Sequence, residues 1–207
     1  MVSILVESTT SYSGKSMICL GLGLAFQRDG FTVSYFKPFG RLPVRVGNIT
    51  ADEDAVLIKD VFQLDQPLEQ ICPVVVTQDL IIKAYDGKVK GLNEKVVSAF
   101  KRVSQGKDIT LIGGGGSLHE GSLLGISSLR IARDFKSQVI IVDNAEHQVN
   151  IDCIIRAREG LQDNLLGVIL NRVPPHQIDF IKKRVIPFLQ RREIDVLGII
   201  ALDPLLS

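Results

Sequence analysis

A run of hydroxyl-bearing residues ends in Gly14-Lys15-Ser16, between an apolar segment and a segment with helical spacing. In such a turn, successive backbone N–H groups and the N-terminus of the following helix point towards a bound anion. A lysine adds a positive charge, and a Ser or Thr hydroxyl reaches a magnesium ion held by the phosphates. The run ESTTSYSGKS, residues 7–16, therefore predicts a phosphate-binding loop. The alternative is a polar loop that only caps a helix.

The loop departs from the strict pattern GxxxxGK[ST], whose first glycine would fall at Thr9. It is a variant rich in Ser and Thr, with the strand and helix that the motif requires on either side. We expect Lys15 to act on the phosphates during catalysis and Ser16 to hold the metal. The residues expected to contact the nucleotide from this loop are Thr10, Ser11, Ser13, Gly14, Lys15, Ser16 and Met17.

Short apolar runs alternate with longer segments of helical spacing along the whole chain. Continuous apolar runs are typical of parallel strands covered on both faces. The alternation therefore predicts a doubly wound α/β fold, a three-layer sandwich with a mainly parallel sheet of about six or seven strands. The expected strands are Ser3–Val6, Thr32–Phe36, Ile109–Ile112, Gln138–Val142, Leu165–Leu170 and Asp195–Ile200. The expected helices are Gly14–Arg28, Asp52–Phe62, Leu92–Gln105, Ser122–Phe135, Ile151–Leu161 and Gln177–Gln190.

Two irregular segments, Pro38–Ala51 and Gln66–Lys90, interrupt this alternation and are expected to be functional loops. The length of 207 residues fits one domain, expected over residues 1–207. With 24 basic and 23 acidic residues, the charge balance does not favour nucleic acid or a membrane surface as a partner.

The cysteines, Cys19, Cys72 and Cys153, lie far apart in apolar stretches without metal-ligand spacing. They are expected to be buried thiols, as in a cytoplasmic protein. The N-terminus lacks the basic start and long apolar stretch of a signal peptide, and no run is long enough to span a membrane.

Five segments resemble, in order, the dethiobiotin synthetase and cobyric or cobyrinic acid synthase group. The loop ESTTSYSGKS is similar to the modified P-loop of that group, with Ser8 at a position where glycine is usual. The remaining matching segments are YFKP at 35–38, DEDA at 52–55, LNRV at 170–173, and LGII at 197–200 with DPLL at 203–206. The resemblance is closest to the dethiobiotin-synthetase-like domain at the N-terminus of some phosphotransacetylases.

This resemblance implies a P-loop NTPase fold that binds ATP and Mg²⁺, and a homodimer. It implies that Lys37 contacts a small acidic substrate and takes part in catalysis, and that Asp54 joins Ser16 at the metal. Asn171, next to Arg172, would read the base. The implied reaction is ATP-dependent activation of a carboxylate or carbamate.

Several of these residues also have structural explanations. Lys37 could be an extended side chain at a strand end beside a proline. Asp52 and Asp54 could cap the helix that follows them. Asn171 and Arg172 could be an ordinary strand terminus before Pro174. These alternatives remain open from the sequence alone.

A run of four glycines, Gly113–Gly116, follows the third predicted strand, where the resembled group usually has glutamate before a glycine-rich turn. Gly113 takes the glutamate position, which removes a carboxylate from the magnesium site. The turn could be flexible only, or could present N–H groups to an anionic substrate, with Gly114, Gly115 and Ser117 as the expected contacts. A nucleotide sensor with little turnover therefore stands beside a synthetase. A further hypothesis is a docking domain that binds no nucleotide, which is favoured by the lack of the usual glycine at Ser8 and Thr9.

Overall fold

The computed structural model describes residues 1–203. Its central feature is a six-stranded sheet in the order β2-β5-β1-β6-β7-β8, in which every described pair of neighbours is parallel. The strands of this sheet are β1 (Val2–Ser8), β2 (Val33–Phe36), β5 (Ile109–Gly113), β6 (Gln138–Asn144), β7 (Leu165–Val173) and β8 (Val196–Ala201). The predicted α/β class with a parallel sheet is confirmed.

Helices cover both faces of the sheet, because its central strands are apolar on both sides. One face packs against α1 (Lys15–Arg28) and α2 (Glu53–Phe62), and the other against α5 (Leu92–Ser104), α6 (Ser128–Asp134) and α7 (Ile151–Leu161). On β1, Val6 faces α1, whereas Leu5 faces the opposite layer. Successive side chains of β1 therefore point to opposite layers, also at the end of the strand.

The two segments expected to be irregular contain regular elements. In the first segment, Pro38–Ala51, strands β3 (Pro43–Val46) and β4 (Ile49–Asp52) form an antiparallel hairpin. Only Asp52, the last residue of β4, lies beyond that segment. The second contains α3 (Leu68–Ile71) and α4 (Gln78–Tyr85). The hairpin was not predicted because its strands have four residues each and are mostly exposed, so they lack a buried apolar pattern.

Two predicted helices are broken. Residues Ser122–Leu124 form a separate 3₁₀ turn before α6, since Gly125 adopts φ 70° and ends the turn. Near the C-terminus, α8 (Ile178–Phe180) and α9 (Ile186–Gln190) are joined by a π-helical segment, Ile181–Val185. Pro187 lacks the N–H that an α-helix needs, which explains the wider turn before it.

The cysteine expectation holds for two of the three residues. Cys19 and Cys72 are buried, and burial raises the pKa of each thiol to about 12, which keeps them protonated and unreactive. Cys153 is partly exposed, so for this residue the expectation of full burial is wrong. Among the residues that the structure describes, no helix has the length and apolar character needed to cross a membrane.

Candidate functional site

The predicted phosphate loop connects the end of β1 to the start of α1. Gly14 adopts φ 90° and Tyr12 φ 59°, two left-handed residues that turn the chain into the helix. No side chain caps the N-terminus of α1 in the described structure. The first N–H groups of a helix need external partners, so this end of α1 is suited to a bound anion.

Hydrogen bonds within the loop and to two distant strands hold its shape. The hydroxyls of Ser8 and Ser13 both donate to the Thr10 carbonyl, each at 2.7 Å. Thr9 donates to the buried Asp143 at the end of β6, at 2.5 Å. Asn171, on β7, donates from Nδ2 to the Ser13 carbonyl at 2.9 Å. The loop is therefore anchored on one side of β1 by two strands that follow it much later in the sequence.

Lys37, at the end of β2, is the centre of a buried ion-pair cluster. Its exposed fraction is 5%, and Nζ lies 2.9 Å from Asp52 Oδ1 and also pairs with Asp54. Asp52 caps α2 by accepting from the Ala55 N–H at 3.3 Å. Asp52 therefore does cap a helix, which was the structural alternative to a role in the site. The structural alternative for Lys37, an extended side chain that reaches solvent, does not agree with its burial.

The same cluster shifts the pKa values of its members in opposite directions. Burial alone would lower the pKa of Lys37, but the charges of Asp52 and Asp54 outweigh it and raise that pKa. Burial alone would raise the pKa of Asp54, but Lys37 and a hydrogen bond with Ser16 hold it below 3.8. Asp54 therefore links the phosphate loop, through Ser16, to the end of β2. The two residues predicted to hold the metal are neighbours.

The four-glycine turn is tightly packed rather than flexible. A Cβ built on Gly113 would overlap the Tyr35 hydroxyl and lie 2.9 Å from Tyr35 Cζ. A Cβ on Gly115 would lie 2.7 Å from Phe39 Cε2. Such distances do not occur for real Cβ atoms, so the glycines are required by the side chains that approach them. Tyr35 fills the space into which a side chain at position 113 would project.

Glu7 approaches the same turn from the other face of the sheet. Its side chain has no exposed surface and accepts from the N–H of Ser8 at 2.9 Å and of Gly115 at 3.2 Å. A Cβ on Gly114 would lie 2.7 Å from Glu7 Oε1. Burial raises the pKa of Glu7, although a hydrogen bond with Ser128 opposes the shift. A buried carboxylate therefore connects β1 to the glycine turn.

Asn171 and Arg172 lie beside an apolar cavity of about 620 Å³ between α1 and the ends of β7 and β8. Met17, Ile18 and Ile200 also line this cavity, next to the start of the phosphate loop. Arg172 adopts φ 57°. Its Nε lies 2.9 Å from Glu146 Oε2 and forms an ion pair with it, but the geometry at Nε is not that of a hydrogen bond. The cavity has the size and apolar lining of a small-molecule site.

All of the predicted site residues except Ser13 line three adjoining cavities. A cleft of about 570 Å³ in front of α1 is lined by Ser11, Gly14, Lys15, Ser16, Met17, Lys37, Asp54, Gly114, Gly115 and Arg172. Asn171 faces the apolar cavity instead. Thr10 and Ser117 line a third cavity, of about 530 Å³, beyond Ser11. Ser13 is fully buried and supports the loop from within.

The donor set in the cleft fits a magnesium ion that is bound together with phosphates. Ser16 and Asp54 supply one hydroxyl and one carboxylate, and Mg²⁺ is commonly held by one or two protein carboxylates, substrate phosphates and water. No group of three His, Cys, Asp or Glu residues suited to a metal occurs within residues 1–203. The residues present therefore fit a nucleotide-bound ion better than a permanent metal.

Three residues of the site were missed from the sequence. In the sequence, Glu7 is only the first residue of the predicted loop, although a carboxylate ending an apolar strand is a detectable signal. Tyr35 gives no such signal, because its role depends on the empty position at Gly113. Arg41 follows Gly40 in the segment expected to be irregular, and its pairing with Glu120 is visible only in the fold.

The fold is that of the P-loop NTPases. The sequence profile of a family described as an AAA domain matches residues 2–207, and the chain belongs to this family. The P-loop NTPase fold is also that of solved structures with low sequence identity. McdA from Cyanothece, solved with ATP, has a TM-score of 0.61 at 15% identity over 98% of this chain and 84% of that chain. A nucleotide-binding protein from Archaeoglobus fulgidus, solved with ADP, has a TM-score of 0.56 at 14% identity over 99% and 83%.

Three curated relatives confirm the predicted resemblance. Phosphate acetyltransferase of Pseudomonas aeruginosa is 26% identical over 77% of this chain and 23% of its own length. Cobyric acid synthase of Methylorubrum populi is 25% identical over 82% of this chain and 40% of its own length. Dethiobiotin synthetase of Caldicellulosiruptor saccharolyticus is 24% identical over 57% of this chain and 49% of its own length. The chain thus spans about a quarter of the phosphate acetyltransferase and less than half of the other two. One sequence element, Pro204–Leu206 of the DPLL segment, lies outside the described residues.

Proposed function

We propose that this chain binds ATP with Mg²⁺ in the cleft in front of α1 and uses it to activate a small carboxylate or carbamate. The observation that carries the proposal is the uncapped N-terminus of α1, which the loop presents next to Lys15 and the Ser16–Asp54 pair. Lys15 and the loop N–H groups would bind the phosphates, and Ser16 and Asp54 the ion, which would neutralise phosphate charge. The dethiobiotin synthetase relative is named as ATP-dependent, in agreement with this proposal.

The base would occupy the apolar cavity beside Asn171 and Arg172. Asn171 carries a donor and an acceptor, which suits the edge of adenine. Its Nδ2 donates one hydrogen to the Ser13 carbonyl, which leaves the second N–H and Oδ1 for the base. In this arrangement the same side chain would tie base recognition to the shape of the phosphate loop.

A second candidate function is a nucleotide sensor with little turnover. Two observations favour it: Tyr35 fills the space beside Gly113, and Asp54 is paired with Lys37. The first leaves no room for a carboxylate at position 113, and the second offsets the charge of Asp54, so less negative charge is available to a metal. We further propose that the chain functions in the cytoplasm as a homodimer. Sedimentation velocity with and without ATP tests whether it forms the dimer.

Calorimetric titration with ATP and Mg²⁺ tests the first proposal. We expect binding by the unmodified chain and a loss of at least about tenfold in affinity for Lys15→Ala, since charged hydrogen bonds contribute about 1.5–3 kcal/mol. Lys101→Ala, on α5 and away from the cleft, is the matched control. Absence of heat from the unmodified chain would contradict both nucleotide functions. Binding without phosphate release across small carboxylic and diamino acids would favour the sensor.

A further inference from the structure

Of the cations that line the cleft in the described part of the chain, Arg41 is the most exposed, and Arg172 is paired with Glu146 beside the apolar cavity. Lys15 lies at the start of α1, where the nucleotide phosphates are proposed to bind. Lys37 is buried and neutralised between Asp52 and Asp54. The side chain of Arg41 is 50% exposed and forms one ion pair, with Glu120.

The backbone around Arg41 is held firmly on both sides, although the side chain is exposed. Gly40 exchanges backbone hydrogen bonds with the segment Val74–Val76, each at 2.8 Å. Leu42 donates to Asp52 Oδ2 at 3.2 Å and accepts from the Glu53 N–H at 2.9 Å. A guanidinium presented from such a fixed point can recognise a planar anion with a defined geometry.

The cavity of about 530 Å³ around Arg41 has a lining suited to a small acid. Thr10, Ser11 and Ser117 line it, together with Glu120 and the exposed His119. Ser11 and Arg41 also line the cleft in front of α1, so the two cavities adjoin at these residues. A ligand on Arg41 would therefore lie next to the proposed phosphate site.

Glu120 shows which chemical group fits Arg41. Its carboxylate pairs with the guanidinium in the free protein, from the loop that follows the glycine turn. Ion pairs between partly exposed side chains contribute little to stability, so exchange of this carboxylate for one on a ligand costs little. Arginine binds carboxylates through two parallel hydrogen bonds, a geometry that a ligand carboxylate can reproduce.

We propose that the Arg41 cavity binds the carboxylate of a small organic acid, which displaces Glu120 from Arg41 and becomes the second ligand of the site. This inference rests on the proposed function, because it names the residue that would hold the acid to be activated. It assigns that task to Arg41 rather than to Lys37, whose charge is already balanced. Ser11, shared by both cavities, would lie between the acid and the phosphates.

NMR titration with succinate and glutarate as probes, with and without ADP and Mg²⁺, tests the assignment. We expect the Arg41 Nε–Hε signal to shift on titration in the unmodified chain. Glu120→Gln should tighten binding of the probes by about fivefold, because it removes a weak internal competitor. Arg41→Ala, which lacks the Nε–Hε signal and is followed through the backbone amides of Ser11 and Ser117, should weaken it by at least about tenfold, as expected for loss of a charge-assisted pair. Arg130→Ala, which removes a surface pair with Asp134 on α6, is the matched control.

Three results would overturn the proposal. The first is an unmodified chain in which neither probe shifts the Arg41 signal. The second is equal affinity in Arg41→Ala and the unmodified chain. The third is a shift by inorganic phosphate but not by the carboxylates, which would make the cavity a phosphate site. ADP calorimetry on the same samples separates this inference from the function on which it rests: ADP binding without carboxylate binding contradicts the Arg41 assignment alone, whereas absence of ADP binding contradicts both.

Discussion

Glu7 and Lys37 are two buried ionisable residues whose environments act in opposite ways. Lys37 has two carboxylates within reach, so its charge is balanced where it lies. Glu7 accepts backbone N–H groups and has no cation in direct contact among residues 1–203, so burial dominates and raises its pKa. Buried charges are costly unless they are paired, and these two residues therefore make different contributions to stability.

Glu7→Gln should change how stability depends on pH. Because the folded-state pKa of Glu7 is raised, the folded protein binds this proton more tightly than the unfolded chain does. The resulting stability is fully present below the unfolded value of 4.5 and is lost as pH rises through the folded pKa. We expect the variant to lack this loss in urea unfolding over a pH series, whereas Glu193→Gln, on an 82% exposed side chain, keeps it. Identical pH profiles for Glu7→Gln and the unmodified chain would contradict the expectation.

Lys37→Met should destabilise the protein strongly, because it leaves Asp52 buried without a cation. Removing one partner of a buried pair costs about 3–5 kcal/mol. Lys83→Met, which breaks a surface pair with Asp79, should cost less than about 1 kcal/mol. Urea unfolding at neutral pH measures both changes. Similar losses in the two variants would show that the Lys37 cluster is no more important than a surface pair.

At the scale of elements, the packing of α1 against α2 depends on a glycine in the middle of a helix. A Cβ on Gly23 would lie 2.8 Å from Phe62 Cε1 and closer still to other atoms of the ring. Glycine is unfavourable inside helices by about 1 kcal/mol relative to alanine, so this position has a packing reason. Close contact between the two helices brings Asp54, at the start of α2, next to Ser16, at the start of α1.

Gly23→Ala should therefore destabilise the protein. Overpacking costs about 1–3 kcal/mol, and the better helix propensity of alanine offsets part of this cost. Gly21→Ala in the same helix is the matched control, because a Cβ there meets nothing within 4 Å. It should be neutral or stabilising by up to about 1 kcal/mol. Denaturant midpoints of the two variants decide the question. Stabilisation by both substitutions would mean that α1 and α2 are less tightly packed than the structure indicates.

At the scale of the whole molecule, the proposed ligand would bind parts that are far apart in sequence. Lys15 belongs to the first helix, Asp54 to the second, and Asn171 to the seventh strand. A nucleotide that contacts all three would stabilise the folded chain as a unit, since it cannot bind an unfolded one in this way.

ADP with Mg²⁺ should raise the midpoint of thermal unfolding in a single cooperative transition. At a ligand concentration of about 100 times Kd, the added stability is about 2.7 kcal/mol. For a chain of this size the shift is then several degrees. Lys15→Ala should lose most of it, and Lys101→Ala should not. Two separate transitions, only one of them ligand-dependent, would contradict the prediction of a single domain over residues 1–207.

Most of the fold, and part of the site, was predictable from sequence because the signals are local. The apolar runs of β1, β5, β6 and β7 and the loop ending in Gly14-Lys15-Ser16 depend on neighbours a few residues away. The exposed hairpin β3–β4 and the π-helical segment before Pro187 were not predicted, since their patterns are short or interrupted.

The sequence by itself determined a phosphate loop on a parallel α/β sheet and the order of its elements. Only the tertiary structure decided the partners: Lys37 with Asp52 and Asp54, Tyr35 against Gly113, and Arg41 with Glu120. Most of these contacts join segments far apart in the chain, and they depend on which strands are neighbours and in what register. A pattern within one segment carries no information about that register. Gly113 illustrates the difference. In the sequence it stands where the resembled group usually has glutamate, and in the structure Tyr35 fills the space that a side chain at this position would need.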